Sequence, residues 1–264
     1  MDNFHAPLII AHRGSSAHAP ENTFAAFKRA IDEGADGIEF DVRLSKNGEP
    51  VVFHDRTLAR TAMRNGDVIN FTTAELAKID NGSWFNTAYP KRASEQFTKE
   101  TVRTLEETLD FINDFKGRIF IELKCAEADV EKLSTSVCEV IKSSSLKRQI
   151  VVKSFRLAVI PLIKEHCPDI RTAALFAPKI MTILRKEKHL VKIAAEFGAD
   201  ELSVHYSLAT KKLMKKAERF GLPVAIWTAD SPRWVKRAAK LGIQSIITND
   251  PARLLEKKSE LIGS

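Results

Sequence analysis

Three carboxylates in predicted strands are the side chains of this sequence best suited to chemistry. Glu39 and Asp41 lie two positions apart in the alternating stretch 37–44, so both point to the same face of a strand. Glu122 lies near the end of a later apolar stretch. Carboxylates crowded on one buried face repel each other unless protons or a cation hold them together, and Ca²⁺ and Mg²⁺ prefer carboxylate oxygens. The pattern predicts a site for one divalent cation, with Mn²⁺ as a further candidate.

Two histidines follow predicted strands and flank these carboxylates. His12 ends the first apolar run of the chain, and His54 ends a short run after the turn signal Asn47-Gly48. Imidazole titrates near neutral pH, so a histidine pair can exchange protons with a substrate. Arg13 and Lys124 add positive charge, and arginine can bind a phosphate through two nitrogens. Together these residues predict metal-assisted phosphoryl chemistry on a small anionic substrate.

A purely structural interpretation of the carboxylates remains open at this point. They could face solvent, or they could form salt bridges with Arg43 and Lys124. The metal interpretation is favoured because carboxylates occur near the ends of two separate strands.

An alternation of strands and helices must position these residues. Eight predicted strands are each followed by a predicted helix, apart from the short return that ends near His54. Strands joined by helical crossovers are parallel, and eight can close into a (β/α)₈ TIM barrel, whose active sites lie at the carboxyl-terminal ends of the strands. One of the helices is predicted from about 180 to 197. The strands are predicted over 8–13, 37–44, 119–123, 149–154, 171–175, 201–204, 223–228 and 245–248.

Residues from about 56 to 103 interrupt the alternation. They contain turn residues and one short helical pattern but no long periodicity, which predicts a small insertion after the second strand. Trp84 and Phe85 either form the insertion's own core or present an apolar wall to a lipid-like substrate. No change of composition divides the chain elsewhere, so residues 1–264 are predicted to form one domain.

Composition excludes several functional classes. The chain has 264 residues, of which 28% are charged, and a net charge of +7. The lysines of 211–216 fall on one face of a predicted helix, which indicates a solvated surface rather than a nucleic-acid site. Three cysteines are too few for a zinc site or a disulfide framework. With no signal-peptide or membrane-spanning pattern, we expect a cytoplasmic protein.

An ordered set of short motifs resembles the glycerophosphodiester phosphodiesterase family. The motifs run in order from about Ile9 to Leu255, and the set is more specific than any single member. Two positions depart from the family's usual pattern, with Arg103 in place of a proline and Ala229-Asp230 in place of Val-Asn. The motifs are His12-Arg13-Gly14, Pro20-Glu21-Asn22-Thr23, Gly37-Ile38-Glu39-Phe40-Asp41-Val42, Val52-Phe53-His54-Asp55, Gly82-Ser83-Trp84-Phe85, Ile121-Glu122-Leu123-Lys124, Trp227-Thr228 and Ile247-Thr248-Asn249-Asp250-Pro251.

The resemblance implies a TIM barrel with a small insertion that hydrolyses glycerophosphodiesters to glycerol 3-phosphate and an alcohol, with one divalent cation. In the mechanism proposed for such enzymes, the substrate's own 2-hydroxyl attacks phosphorus and leaves a cyclic phosphate that water opens. The resemblance further implies these roles: Glu39, Asp41 and Glu122 bind the metal, His12 and His54 act as general acid and base in unassigned order, and Arg13 and Lys124 hold the phosphate.

Several assignments stay open on the sequence alone. Trp227 is a candidate for the substrate pocket, with barrel packing as the alternative. Glu21 and Asn22 either brace the first loop or cap the helix that follows. No chemistry is assigned to His18, His166, His189, His205 or Asn249-Asp250-Pro251.

Rival functions follow from the same residues. A lysophospholipase-D-like activity on lysophospholipids would use the same barrel. A barrel that binds a phosphorylated ligand without catalysis has no need of paired acid and base groups. A phosphosugar isomerase would want a glycine loop for phosphate after the seventh or eighth strand, which Ala229-Asp230-Ser231 does not offer. The favoured prediction is an enzyme with a small-molecule substrate, of undetermined oligomeric state.

Overall fold

Eight parallel strands close into a barrel in the computed structural model, which describes residues 6–180 and 188–263. Closure is complete because the first barrel strand pairs with both the second and the last. The predicted (β/α)₈ TIM barrel is therefore confirmed. The strands of the sheet are β1 (Leu8–His12), β2 (Gly37–Leu44), β3 (Pro50–Val52), β4 (Arg103–Thr104), β5 (Arg118–Leu123), β6 (Ile150–Ser154), β7 (Arg171–Phe176), β8 (Glu201–His205), β9 (Val224–Trp227) and β10 (Ser245–Thr248).

Helices follow the barrel strands and cover the outside of the barrel. The helix predicted from about 180 to 197 is described only from Lys188, since residues 181–187 lie outside the described residues. In the described ranges, no helix is long and apolar enough to cross a bilayer. The helices are α1 (Phe24–Asp32), α2 (Thr73–Leu76), α3 (Ser83–Ala88), α4 (Leu105–Phe111), α5 (Val130–Ser143), α6 (Val159–His166), α7 (Lys188–Glu196), α8 (Lys211–Arg219), α9 (Arg233–Leu241) and α10 (Pro251–Ile262).

β3 and β4 extend the sheet beyond the barrel at the carboxyl-terminal end of β2. β3 pairs antiparallel with β2 and β4 pairs antiparallel with β3. The return predicted over 50–55 is regular only to Val52, although Phe53 N still donates to Asp41 O at 2.9 Å. This bond brings the following residue, His54, beside the end of β2.

The segment between β3 and β4 is the predicted insertion, and it packs in small apolar clusters that it shares with neighbouring elements. Leu58, Leu76 and Ile79 lie in one of them with Val51 of β3. Phe85 is fully buried and packs edge-on against Phe97, 5.5 Å away, so it forms part of a core rather than a wall for substrate. Trp84 is partly buried beside it. That residues 1–264 form one domain stays a prediction.

The inside of the barrel is organised in layers, because alternate residues of every strand point inward. A middle layer is apolar. A lower layer, at the amino-terminal ends of the strands, is ionic, and an upper layer, at the carboxyl-terminal ends, carries the residues that could take part in a reaction. The apolar layer consists of Ile10, Phe120, Val151, Ala173, Ala225 and Ile247.

The lower layer is an ion-pair group around Glu201. Its carboxylate is fully buried and lies 2.9 Å from Arg171 Nη2, and it also accepts a hydrogen bond from Arg118. Arg118 in turn donates to Gln244 Oε1 at 3.1 Å and covers the ring of Phe120. This group seals the amino-terminal end of the barrel, opposite the predicted site.

The turn after β1 packs directly on the backbone of α1. Gly14 has φ +79°, and a Cβ at this position would lie 2.6 Å from the carbonyl carbon of Ala26. Gly34, just after α1, has φ +78° but no atom within 4 Å of such a Cβ. The two glycines therefore share a backbone conformation and differ in steric contact.

Replacing Glu201 should destabilise the barrel without altering its chemistry. Glu201→Ala leaves Arg118 largely buried and unpaired, so we expect a loss of about 3–5 kcal/mol in the free energy of unfolding. Arg171→Ala removes a half-exposed partner and should cost less than about 1 kcal/mol. Urea unfolding measures both, and a Glu201→Ala protein as stable as Arg171→Ala would contradict the assignment.

The glycine pair gives a second test of the fold. Gly34→Ala should cost roughly 1–2 kcal/mol through its left-handed conformation alone. Gly14→Ala should cost about 1–3 kcal/mol more, because the backbone of α1 must move away from the new methyl group. Equal losses in urea unfolding would show that the close approach to Ala26 does not matter.

Candidate active site

The upper layer of the barrel interior brings the three predicted carboxylates together. Glu39 and Asp41 point inward from β2, and Glu122 lies directly beside Asp41 in the register of β5. One oxygen atom from each of the three lies within 4.8 Å of the others, and all three residues are buried. This buried acidic cluster could hold a metal ion.

Two lysines, Lys153 and Lys124, form ion pairs with the carboxylate cluster. Lys153 Nζ lies 2.8 Å from Glu39 Oε1. Lys124 Nζ lies 3.3 Å from Asp41 Oδ1 and 2.5 Å from Glu122 Oε1. Salt bridging by Lys124, the structural alternative raised by the sequence, is therefore present within the cluster itself.

The other two cations expected near the carboxylates have different contacts. Arg13 Nε lies 3.2 Å from Asp41 Oδ2, so this guanidinium joins the cluster. Arg43 instead donates to the backbone carbonyls of His54, at 2.8 Å, and Lys124, at 3.4 Å. Arg43 thus connects the His54 loop to the end of β5, and it forms no ion pair with a carboxylate of the described residues.

The cations keep Glu39 and Asp41 ionised despite their burial. Burial alone would raise the pKa of Asp41, but Lys124 and Arg13 outweigh it and hold that pKa well below its usual range. Burial would also raise the pKa of Glu39, but Lys153 and His12 outweigh it and lower that pKa. Burial would lower the pKa of Lys124, yet Asp41 and Glu122 raise it. Glu39 and Asp41 therefore present charged oxygens, the form that a metal ion requires.

Two buried oxygens of the cluster are paired with lysine ammonium groups. Among the residues that the structure describes, Lys153 pairs with Glu39 Oε1 and Lys124 pairs with Asp41 Oδ1, and each oxygen keeps a further lone pair. Buried oxygens with free lone pairs are suited to coordinate a hard divalent cation. The residues present fit such an ion.

Lys153 is the main site residue that sequence reasoning missed. It is 2% exposed and lies in β6, two positions after the inward-facing Val151. The same alternation that assigned Glu39 and Asp41 to one face would have placed Lys153 inside the barrel. A lysine near the end of a strand gave no other sign that it was buried.

His12 is held through its Nδ1 atom by a residue from the last barrel strand's end. Its Nδ1 lies 2.6 Å from Asn249 Oδ1, and its Nε2 lies 3.9 Å from Glu39 Oε2. Asn249 is itself fixed by Asp230, which accepts from the backbone N at 2.8 Å and from Nδ2 at 2.9 Å. Because the amide oxygen of Asn249 is an acceptor, we assign the proton to Nδ1 of His12. Asn249, which the sequence left without a role, thus orients a candidate catalytic histidine.

His54 is held in a similar way by its neighbour in sequence. Its Nδ1 lies 2.5 Å from Asp55 Oδ1. Burial lowers the pKa of the imidazole, and although Asp41 opposes this effect, Lys124 and Arg13 add to it. The ring therefore lies close enough to the cluster to respond to its charges.

The loop after β1 is braced by residues that could otherwise have capped a helix. Asn22 Nδ2 donates to Asp41 Oδ2 at 3.0 Å, and Glu21 Oε1 accepts from Arg13 Nη1 at 2.7 Å. Thr23 is the N-cap of α1. The bracing interpretation of Glu21 and Asn22 therefore matches their contacts better than the capping one.

Aromatic rings line another part of the barrel mouth. Trp227 lies beside His205 in the sheet register, with ring centroids 5.5 Å apart, and Phe155 packs edge-on at the same distance. Phe155 is exposed, whereas Trp227 also packs against the apolar layer below. Both interpretations of Trp227 thus have structural support, and His205, which had no assigned role, is part of the mouth.

Comparisons with known proteins agree with this geometry. Residues 12–253 match the model of the glycerophosphoryl diester phosphodiesterase family. The chain is 33% identical to a glycerophosphodiester phosphodiesterase of Caldanaerobacter subterraneus subsp. tengcongensis, over 94% of this chain and 96% of that one. It is 30% identical to a glycerophosphodiester phosphodiesterase of Bacillus subtilis, over 92% and 84% of the two chains.

A solved structure is similar over nearly the whole chain. It is that of an Oleispira antarctica phosphodiesterase in complex with the product sn-glycerol-3-phosphate, with a TM-score of 0.84 and 26% identity over 98% of both chains. The barrel, the motifs and the matched length lead to one conclusion. This chain belongs to the glycerophosphoryl diester phosphodiesterase family.

Proposed function

We propose that this protein hydrolyses glycerophosphodiesters to glycerol 3-phosphate and an alcohol, using a divalent cation and two histidines. The observation that carries this proposal is the buried cluster of Glu39, Asp41 and Glu122 at the barrel mouth, flanked by His12 and His54. Family membership and the product in the Oleispira antarctica structure support the same substrate class.

Glu39, Asp41 and Glu122 would hold the metal, as Ca²⁺, Mg²⁺ or Mn²⁺. When bound, a divalent ion at this position supplies a Lewis acid for a phosphodiester oxygen. Support comes from the hard oxygen donors and from the free lone pairs on Glu39 Oε1 and Asp41 Oδ1.

The charge balance of the site suits an anionic substrate. In the cluster, the cations Arg13, Lys124 and Lys153 already balance the three carboxylates. A divalent cation would therefore leave an excess of positive charge, which a phosphodiester anion can neutralise. Arg13 and Lys124 would hold the phosphate, since their side chains are partly accessible whereas Lys153 is almost completely buried.

The two histidines would move the protons of the reaction. In the first step the substrate's 2-hydroxyl oxygen bonds to phosphorus and the bond to the alcohol oxygen breaks. One histidine accepts the hydroxyl proton and the other donates a proton to the departing alcohol. Water then opens the cyclic phosphate with the proton transfers reversed, which releases glycerol 3-phosphate.

The partners of the histidines fit this proton transfer. Asn249 and Asp55 each accept from an Nδ1 atom, so each ring would be fixed with Nε2 left to exchange a proton. Trp227 would form one wall of the pocket for the glycerol moiety, which must be held rigidly for an intramolecular attack. Cytoplasmic location stays a prediction.

Loss of either histidine should abolish most of the activity. We expect His12→Gln and His54→Gln each to lower kcat about 10²–10⁴-fold, the range that a general acid or base contributes. Release of glycerol 3-phosphate from glycerophosphocholine measures this, with circular dichroism as a check of folding. A folded His12→Gln protein with wild-type activity would refute the assignment, and diester binding without turnover by the wild type would favour the non-catalytic barrel.

Metal binding should depend on the carboxylate cluster. Protein that a chelator has freed of metal should bind one ion when it is titrated with Ca²⁺, Mg²⁺ or Mn²⁺ in a calorimeter. Glu122→Gln should abolish the heat of binding, because one charged ligand of the metal is lost. Glu127→Gln is the matched control, since Glu127 is exposed and pairs only with Arg156 among the described residues. Unchanged binding in Glu122→Gln would place the metal elsewhere.

A further inference from the structure

Arg60, in the insertion, binds two carboxylates with one guanidinium group. Its Nη1 and Nη2 donate to the two oxygens of Glu21 at 2.9 and 2.7 Å. Its Nε donates to Asp55 Oδ2 at 2.7 Å, and Nη2 also donates to Asp55 Oδ1 at 3.2 Å. Every nitrogen of the group is used, although the side chain is 43% exposed.

The contact with Asp55 leads to one candidate catalytic histidine. Asp55 Oδ1 lies 2.5 Å from His54 Nδ1, so the orientation of this carboxylate sets the orientation of the ring. Asp55 lies on a loop, and Arg60 contacts both of its oxygens. Burial would raise the pKa of Asp55, but hydrogen bonds from Arg60 and His54 lower it to about 2. Asp55 therefore remains an ionised acceptor at neutral pH.

The contact with Glu21 connects Arg60 to Arg13, one of the two residues proposed to bind the phosphate. Glu21 Oε1 accepts from Arg13 Nη1 at 2.7 Å. Arg13 and Asn22 adopt left-handed backbone conformations, with φ of 55° and 59°. Such conformations are strained in residues with a side chain and persist only where surrounding contacts enforce them. Glu21 contacts Arg13 and directly precedes Asn22, and the bidentate contact with Arg60 holds it in place.

We propose that Arg60 is a positioning residue that links the insertion to both halves of the active site. Through Asp55 it fixes the ring of His54, and through Glu21 it fixes the guanidinium of Arg13. The inference rests on the proposed function, because it concerns the residues assigned there to proton transfer and phosphate binding.

The geometry requires arginine rather than any cation. A planar guanidinium can donate along two edges at once, whereas the single nitrogen of lysine cannot reach both carboxylates in the same way. The ring of Trp84 lies 5.9 Å from Arg60 Cζ and supports one face of the group. Trp84 of the insertion core thus contributes to the site indirectly.

The kinetic test separates the two arms of the contact. Asp55→Asn should lower kcat about 10–100-fold with little change in KM, and Glu21→Gln should mainly raise the KM for glycerophosphocholine. Arg60→Met should do both, and adding Asp55→Asn to it should lower kcat by less than the product of the separate effects. Arg60→Lys should not restore activity, since it returns the charge without the fork.

A spectroscopic test does not depend on turnover. In wild-type protein the Nδ1 proton of His54 should give a downfield proton resonance, assigned by its loss in His54→Gln. We expect this resonance to broaden or disappear in Arg60→Met. If wild-type protein proves inactive, this measurement still tests whether Arg60 holds His54, so the two proposals can fail separately.

Arg56→Met provides the matched control. Arg56 lies in the same segment, is 80% exposed and pairs with Asp67 at 2.8 Å, outside the proposed network. It should keep wild-type kcat, KM and the His54 resonance. The proposal is overturned if folded Arg60→Met keeps wild-type kinetics and the His54 resonance. It is also overturned if Arg60→Lys has wild-type kinetics and resonance, and this second comparison remains available if Arg60→Met does not fold.

Discussion

The burial of three carboxylates at one end of a barrel is the constraint on which the upper half of this structure depends. Backbone pairing of β2 with β5 places Asp41 beside Glu122, so the fold itself forces like charges together. Such charges are costly in a protein interior unless cations or a metal compensate them. The compensating cations come from separate parts of the chain: Arg13 follows β1, Lys124 follows β5, and Lys153 lies in β6. The cluster is therefore complete only when β1, β2, β5 and β6 have paired.

The barrel interior has two charged layers with different roles, and an apolar layer separates them. At the amino-terminal end, the buried carboxylate of Glu201 pairs with two arginines, Arg118 and Arg171. At the carboxyl-terminal end, three buried carboxylates lie together, and the cations Arg13 and Lys124 beside them are partly accessible to solvent. This division between a stabilising end and a reactive end is general in TIM barrels. Here the position of a residue along its strand decides to which end its charge belongs, and the strand alternation turns its side chain inward.

The sequence predicted the barrel well because the strands are apolar, regularly spaced and separated by helical patterns. Each predicted barrel strand agrees with the structure to within one residue at either end. The predicted carboxylates also meet, since two positions in a strand share a face. The sequence did not reveal the partners that arrive through tertiary contact. Asn249 reaches His12 only because β10 pairs with β1, more than two hundred residues away in the chain. Lys153 was overlooked because lysine at a strand end is usually exposed.

The placement of His54 shows why the insertion matters for the chemistry. His12 follows directly from a barrel strand, whereas His54 lies on a loop beyond the short strand β3. Its backbone is attached to the barrel through Phe53 N and Asp41 O, and through Arg43 and the carbonyl of His54. These bonds fix the loop but leave the imidazole free to rotate, so its orientation depends on Asp55 and, through it, on Arg60 of the insertion. The barrel thus fixes the carboxylates and one histidine, while the second histidine depends on a segment that the barrel does not need in order to close.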